Sequence, residues 1–264
     1  MQPIAIFGIT GRMGQSLLRA VQESSTCRWS GAIASAGSER LGQEAVAEGA
    51  PSGVLITADA QAGVRGASVA LDFSVGSCVA AHAEHCAAVG VPLLIGVTGF
   101  DAASRAVLKE AARSIPVLIA PNTSVGVSVV AKLVSIAAST LGSSYDIEIF
   151  EAHHRMKRDS PSGTALALGE AVAEARAQVL SEVAVFDRTG QSAPRPSGAI
   201  GFSSLRAGDI VGEHTVTFAA AGERVEITHR ATDRITFARG ALRAAEWLVG
   251  QPAGLYSMDD VLGL

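Results

Sequence analysis

The chain has 264 residues, 48% of them apolar and 17% charged, which suffices for one large or two modest cores and excludes global disorder. Its 21 basic and 25 acidic residues leave a net charge of −4, and only 5% of residues are aromatic, so no nucleic-acid partner is expected. Cys27, Cys78 and Cys86 form no C-x-x-C pair, which argues against a disulfide framework and for a reducing, cytoplasmic setting. The start, Met1-Gln2-Pro3-Ile4, lacks a basic run, and the apolar stretches are broken by Asp72, Asn122 and Lys132. Neither a signal peptide nor a membrane helix is therefore expected.

In chain order, Ile4–Phe7 reads as a buried strand, followed by a glycine turn and a helix over Arg12–Glu23. Arg28–Ala34 and Val69–Phe73 read as strands, with a helix from about Gly76 to Val89. Pro92–Val97 is a strand, Asp101 an N-cap for a helix to Arg113, and Pro116–Ala120 a strand before a helix over Val125–Leu141. This alternation predicts an α/β, Rossmann-like, doubly wound parallel sheet. The second half reads differently: a strand at Tyr145–Ala152, a helix at Thr164–Val179, strands at Ile200–Arg206, Glu213–Ala219 and Arg224–Arg230, and a closing helix at Ile235–Val249. Ala207-Gly208-Asp209 and Ala221-Gly222 supply short turns, so the last three strands are expected to form a meander in an antiparallel or mixed sheet of an α+β domain.

Gly8-Ile9-Thr10-Gly11-Arg12-Met13-Gly14 follows the first strand and opens the first helix. A dinucleotide turn needs glycine so that backbone can approach the pyrophosphate, while the helix N-terminus presents N–H groups to the anion. Thr10 stands where one glycine of G-x-G-x-x-G would be, and an ordinary strand–helix turn is the competing reading. After the second strand, where an acid would bind the ribose hydroxyls of NAD, the chain reads Ala34-Ser35-Ala36-Gly37-Ser38. That absence, with Arg12 as a cation at the turn, favours NADPH over NADH, unless Glu39 folds back to do the same work.

The segment from Glu151 to Thr164 concentrates His153, His154, Arg155, Lys157 and Arg158 in an otherwise acidic protein, then starts a helix with Ser162-Gly163-Thr164. Cations beside a helix N-terminus suit an anionic small molecule, and His with Lys suits proton transfer. A solvated basic loop is the bland alternative. Adjacent His153 and His154 on a strand would point to opposite faces and make a poor metal pair. Cys78, His82 and Cys86 could share one helix face as a zinc site, but burial is the commoner fate of cysteine, and no metal is expected.

Together these segments resemble the 4-hydroxy-tetrahydrodipicolinate reductase (dihydrodipicolinate reductase) family over essentially the whole chain. The signature E-A-H-H-x-x-K-x-D-x-P-S-G-T-A is matched from Glu151 to Ala165. Supporting matches are Gly8–Gly14, Ile95–Phe100, Ala120–Val127 and Arg206–His214. The resemblance implies a cofactor domain at 1–124 and 234–264, and a substrate-binding and oligomerisation domain at 125–233. It implies cofactor contacts at Gly8, Ile9, Thr10, Gly11, Arg12, Met13 and Ser35, and on the nicotinamide side at Gly96, Val97, Thr98, Ala120, Pro121, Asn122 and Thr123. His153 would be the acid/base residue, Lys157 the proton donor, and His154, Gly163 and Thr164 the binders of a dicarboxylate substrate. The implied reaction reduces that substrate with NADPH or NADH in the diaminopimelate route to lysine, within a homotetramer; Val216, Phe218, Val225 and Ile227 are the candidates for its buried sheet face. Many relatives carry an acid, often followed by Arg, where this chain has Ser35-Ala36, which again favours NADPH. A Rossmann oxidoreductase acting on another carboxylate, a nucleotide-sensing protein and a zinc-stabilised binding domain are the rival readings. The first two would have no need of His153 with Lys157 beside Ser162-Gly163-Thr164.

Overall fold

Ile4–Phe7 carries apolar side chains on both faces, and in the computed structural model, which describes residues 1–47 and 50–264, it is the fully buried middle of a parallel sheet. The chain runs β1 (Gln2–Phe7), α1 (Arg12–Gln22), β2 (Cys27–Ile33), β3 (Glu44–Ala47), β4 (Ala50–Thr57), α2 (Ala60–Val64), β5 (Val69–Asp72), α3 (Val79–Val89), β6 (Leu93–Ile95), α4 (Ala102–Ala111) and β7 (Pro116–Ile119). It continues through α5 (Val125–Leu141), β8 (Asp146–His153), α6 (Gly163–Ala175), α7 (Leu180–Val183), β9 (Ala184–Val185), β10 (Ile200–Arg206), β11 (Gly212–Ala220), β12 (Glu223–Ala231), α8 (Ile235–Leu248), β13 (Gly254–Tyr256) and α9 (Met258–Leu262). Two units result, residues 1–125 with 234–263 and residues 126–233 with 264.

In the first unit the described strands lie in the order β13-β7-β6-β5-β1-β2-β4-β3, parallel throughout except for the β3/β4 pair. The order reverses between β1 and β5, so their carboxyl ends flank a crevice. Leu17 and Leu18 of α1 and Ala241 and Leu248 of α8 bury one face, while Ala83 and Cys86 of α3 and Leu108 of α4 bury the other. Asp101 caps α4 through Ser104 N–H, as its position before an apolar repeat predicts. The stretch holding β3, β4 and α2 gave no pattern in the sequence; α2 is set by Asp59, whose carboxylate accepts from Ala62 N–H.

In the second unit the order is β12-β11-β8-β10-β9. The expected meander is therefore only half present. β11 and β12 form an antiparallel hairpin, but β10 pairs parallel with β8, which lies between β10 and β11. The short link at 207–211 consequently passes over the carboxyl end of β8 instead of closing a hairpin. Register aligns the inner face in rows. Val225, Phe218, Ile147 and Ile200 form one row and Ile227, Val216, Ile149 and Phe202 the next, packed against Val130 and Val134 of α5 and Leu168 and Val172 of α6. Val216, Phe218 and Ile227 thus pack into this unit's own core and are not free to form an intersubunit face, whereas Val225 is 36% exposed at the edge strand.

One membrane expectation also needs correction. Val125–Ser144 is long and apolar enough to span a bilayer by length and composition, with Lys132 as its one charge. Its Val130, Val134 and Ala138 are buried in the second unit's core, while Val129, Leu133 and Ile136 are 41%, 48% and 52% exposed.

Candidate functional site

Each unit carries one region of interest. In the first, Gly8 adopts φ +79°, and a Cβ there would stand 2.7 Å from the Phe73 carbonyl oxygen. A Cβ on Gly14 would come within 2.4 Å of the Gly8 oxygen, so α1 packs directly on the turn. Gly11 occupies the N-cap of α1 without a capping side chain, and no acid sits in the first turn, which leaves the helix end as an anion site. A cavity of about 360 Å³ opens beside it, lined by Gly8, Thr10, Gly11, Ser35, Ala36 and His82 among others. Glu39 is exposed and does not line it. Arg12 is exposed and Met13 half-buried.

Gly96 and Ala120 follow β6 and β7 on the same carboxyl edge, with Gly96 N–H bonded to the Asp72 carbonyl and Ala120 N–H to that of Ile95. A Cβ on Gly96 would strike the Phe73 ring at 2.1 Å. Val97 is buried, Thr98 and Pro121 are exposed, and Asn122 accepts from Ser124 N–H. Thr123 turns inward, donating its hydroxyl to the Phe237 carbonyl at 2.7 Å, so its side chain has a structural partner within the unit.

Two of the three zinc candidates are otherwise employed. Cys86 lies fully in the core, its thiol pushed up to about 12 by burial, and His82 Nδ1 pairs with the buried Asp72 carboxylate at 2.7 Å. Among the described residues no three His, Cys, Asp or Glu group as a metal site.

In the second unit the two apolar rows of the sheet give way to polar ones. His214, Glu151 and Ser204 share the third row, and Arg206 stands beside His153 in the fourth. Alternation puts Glu151 and His153 on the face that buries Ile147 and Ile149. Glu151 is 1% exposed, and Arg206 clamps it with two bonds of 2.6 and 2.8 Å. Ser162 N–H donates to Glu151 at 3.2 Å. Burial works to raise the Glu151 carboxyl, but Arg206, Ser204 and His153 outweigh it and bring it to about 2. His153 Nδ1 lies 2.5 Å from Glu151. Burial lowers His153 below its ordinary value, partly offset by Glu151; the charges of Lys157 and Arg206 press the same way as burial.

Ser162 caps α6, accepting from Ala165 N–H, and its hydroxyl meets His214 Nε2 at 2.9 Å. Gly163, the first residue of α6, is exposed, with open space where a Cβ would be. His154 and Thr164 are half-buried at the two ends of the same loop. Lys157 Nζ binds the Asp159 carboxylate at 2.7 and 2.9 Å. The loop 155–162 thus brings Lys157 and the α6 N-terminus to the end of the sheet where His153 lies. Sequence reasoning assigned no role to Glu151, Arg206 or His214, and gave Ser162 only the start of the helix. The i, i+2 spacing of Glu151 and His153 was the available signal for the first; the others needed the β8–β10–β11 pairing.

His214 is 4% exposed, its Nδ1 has no partner among the described residues, and burial, then the charge of His153, hold it down at about 4. Because the folded value lies below the unfolded 6.5, the unfolded chain takes up the proton first as pH falls. Stability should therefore drop between pH 6.5 and about 4, by on the order of 1 kcal/mol per pH unit from this group. Urea denaturation at pH 7 and pH 5 should show a shallower decline for His214→Gln; identical declines would reject the assignment.

Family models described as dihydrodipicolinate reductase, N-terminus and C-terminus, match residues 2–123 and 126–262. The chain is 52% identical over 262 residues to 4-hydroxy-tetrahydrodipicolinate reductase of Thiobacillus denitrificans, covering 99% of this chain and 98% of that one. It is 49% identical over 266 residues to the same-named protein of Anaeromyxobacter dehalogenans, covering 100% and 98%. Among solved structures, a dipicolinate-bound dihydrodipicolinate reductase from Paenisporosarcina sp. TG-14 superposes with a TM-score of 0.75 at 23% identity, covering 97% of each chain, which shows a shared fold.

Proposed function

The chain belongs to the dihydrodipicolinate reductase family, and from that membership we propose how its own residues reduce 4-hydroxy-tetrahydrodipicolinate to tetrahydrodipicolinate with NAD(P)H in the diaminopimelate route to lysine. The observation that carries this reading is the gathering, at one end of the second unit's sheet, of a buried imidazole, an ion-paired lysine and a helix N-terminus. A dicarboxylate needs cations and amide N–H groups, and that end of the sheet offers both.

The first unit is the cofactor domain and the second the substrate and oligomerisation domain. Residues 8–13 hold the pyrophosphate: the turn lets backbone approach, and α1 begins there without a side-chain cap. Gly96, Val97 and Thr98, with the stretch Ala120 to Thr123, line the nicotinamide side, Thr123 through its backbone. When bound, the reduced nicotinamide supplies the hydride for ring C4 after the 4-hydroxyl has left as water. Lys157 then delivers the proton to ring C3, His153 serves as acid/base through its imidazole, and His154, Gly163 and Thr164 seat the two carboxylates. Asp159 holds the Lys157 ammonium in place until substrate competes for it.

NADPH is the preferred cofactor. Ser35 and Ala36 line the cavity where an acid would repel a 2′-phosphate, Arg12 stands at the turn, and Glu39 lies outside the cavity. The protein is cytoplasmic, in keeping with three unpaired thiols, and assembles as a homotetramer through the outer sheet face, where Phe150 and Leu205 are 42% and 43% exposed. Purified protein coupled to the preceding synthase, with pyruvate and aspartate semialdehyde supplied, should consume NADPH; no consumption would sink the reading. Calorimetry should show NADPH binding roughly tenfold tighter than NADH, about 1.4 kcal/mol. Tighter NADH binding would overturn the role given to Ser35.

A further inference from the structure

We infer that Glu151, held by Arg206, is a positioning residue that fixes the His153 tautomer: the proton sits on Nδ1, and Nε2 is left bare as the nitrogen that faces substrate. The inference rests on the acid/base role proposed for His153 and adds which atom acts and what aims it.

Three observations converge. Glu151 is clamped by two guanidinium bonds and by Ser162 N–H, so its Oε2 faces His153 Nδ1 as a carboxylate oxygen. A carboxylate can only accept, so Nδ1 must donate and a neutral ring carries its lone pair on Nε2. Gly212 lies on the other flank of the ring, where a side chain would crowd Nε2. A Cβ on Gly212 would stand 3.1 Å from His153 Nε2, whereas the glycine leaves that space clear. Finally, the backbone carrying the ring is tied to the 207–211 link, with Ala207 N–H bonded to the His153 carbonyl and Arg155 N–H to the Gly208 carbonyl. His214 packs edge-on against it with centroids 5.2 Å apart.

The groups facing His153 are thus Glu151 on its own strand, Arg206 on β10, His214 on β11 and Lys157 on the following loop. Glu151 is the one anion among them, and it opposes the combined effect of burial and the cations. Without Glu151 an imidazolium at 153 would have cations and a neutral histidine for company. The carboxylate therefore both selects the tautomer and stabilises the ring when Nε2 takes a proton.

The test uses the full-length protein with ¹⁵N-labelled histidine, the His153 signals being assigned by their loss in His153→Gln. In the wild type at pH 8, one nitrogen should carry hydrogen and show coupling through Nδ1, and the other should be bare. A ring protonated on Nε2 overturns the inference whatever the kinetics show. In Glu151→Gln the amide can present either a donor or an acceptor, so a tautomer mixture is expected. With it, kcat should fall by roughly a hundredfold while substrate KM stays within about threefold. The acid limb of the kcat profile should move to lower pH, because the charged ring has lost its anion. Turnover within twofold of wild type would refute the positioning role. Gly212→Ala leaves Glu151 intact and crowds Nε2, so it should lower kcat with the tautomer unchanged; full activity there also counts against Nε2. Retained turnover in His153→Gln would instead remove the acid/base role while leaving the tautomer result standing, so the two failures are distinguishable.

Discussion

Lys157→Ala and His153→Ala should each lower kcat by about 10²–10⁴-fold while NADPH affinity stays within about twofold of wild type. The argument begins with what the reaction demands. Hydride addition at C4 leaves electron density on the substrate that a nearby donor must quench, and without one the adduct can only revert. Lys157 stands on the loop between His154 and Gly163, two of the residues proposed to seat the substrate, held by Asp159 at 2.7 Å and 21% exposed. Alanine removes that donor and leaves Asp159 without its ammonium partner beside the proposed dicarboxylate site, so substrate KM should rise as well. His153→Ala removes the ring but leaves the exposed cations of the loop, so its loss should fall mainly on kcat. Nucleotide affinity is the internal control, because the glycine turn, Ser35 and the cavity belong to residues of the first unit. Steady-state rates in the coupled assay, with calorimetric titration of NADPH on the same preparations, measure both quantities. If both variants turn over normally, the roles given to Lys157 and His153 fall together.

The two halves of the protein were unequally legible in its sequence, for reasons visible in single residues. In the first unit each central strand is a short apolar run, because a parallel strand covered on both faces has no polar side to show, and each is punctuated by Gly, Asp or Pro. Gly8, Gly11 and Gly14 could be read because the turn needs closeness that only glycine permits. Residues 35–68 were opaque: β4 includes Pro51, Ser52 and Gly53, lies towards the sheet edge, and borrows its order from β2 and β3. In the second unit, alternation on β11 and β12 identified the hairpin correctly, yet proximity in sequence suggested that β10 joined it. Pairing is decided by which strand completes the buried rows. Ile147 and Ile149 of β8 fill the gap between Phe218 and Val216 on one side and Ile200 and Phe202 on the other. No local pattern reports that. The consequence reaches the site, since it is this insertion that sends the 207–211 link over His153 and brings Arg206 to Glu151. The motif carrying His153 and Lys157 was therefore readable as chemistry, whereas the groups that hold it in place were invisible until the strand order was known.

Arg206→Leu should be the most destabilising single change at the site, by about 3–5 kcal/mol, because it strands a carboxylate that is 1% exposed. The expected fall in melting temperature is about 10 °C. The same substitution paired with Glu151→Gln should recover more than half of that loss, since a buried charge with no partner is far costlier than a neutral pair of similar volume. The pH dependence follows the same logic with a definite sign. Glu151 has a folded value of about 2 against an ordinary 4.5, so its ionisation supports folding above pH 4.5 and that support is lost as pH falls toward 2. Removing Arg206 removes the largest force holding the carboxyl down and leaves burial, which drives it up. The single variant should then gain stability, relative to wild type, as pH falls through the range where the stranded carboxylate can take a proton. Thermal melts at pH 7.5 and pH 5 on wild type, Arg206→Leu and the double variant separate these terms. A single variant as stable as wild type at pH 7.5, or a double variant no better than the single, would mean that the Arg206–Glu151 pair is not what secures the floor beneath His153.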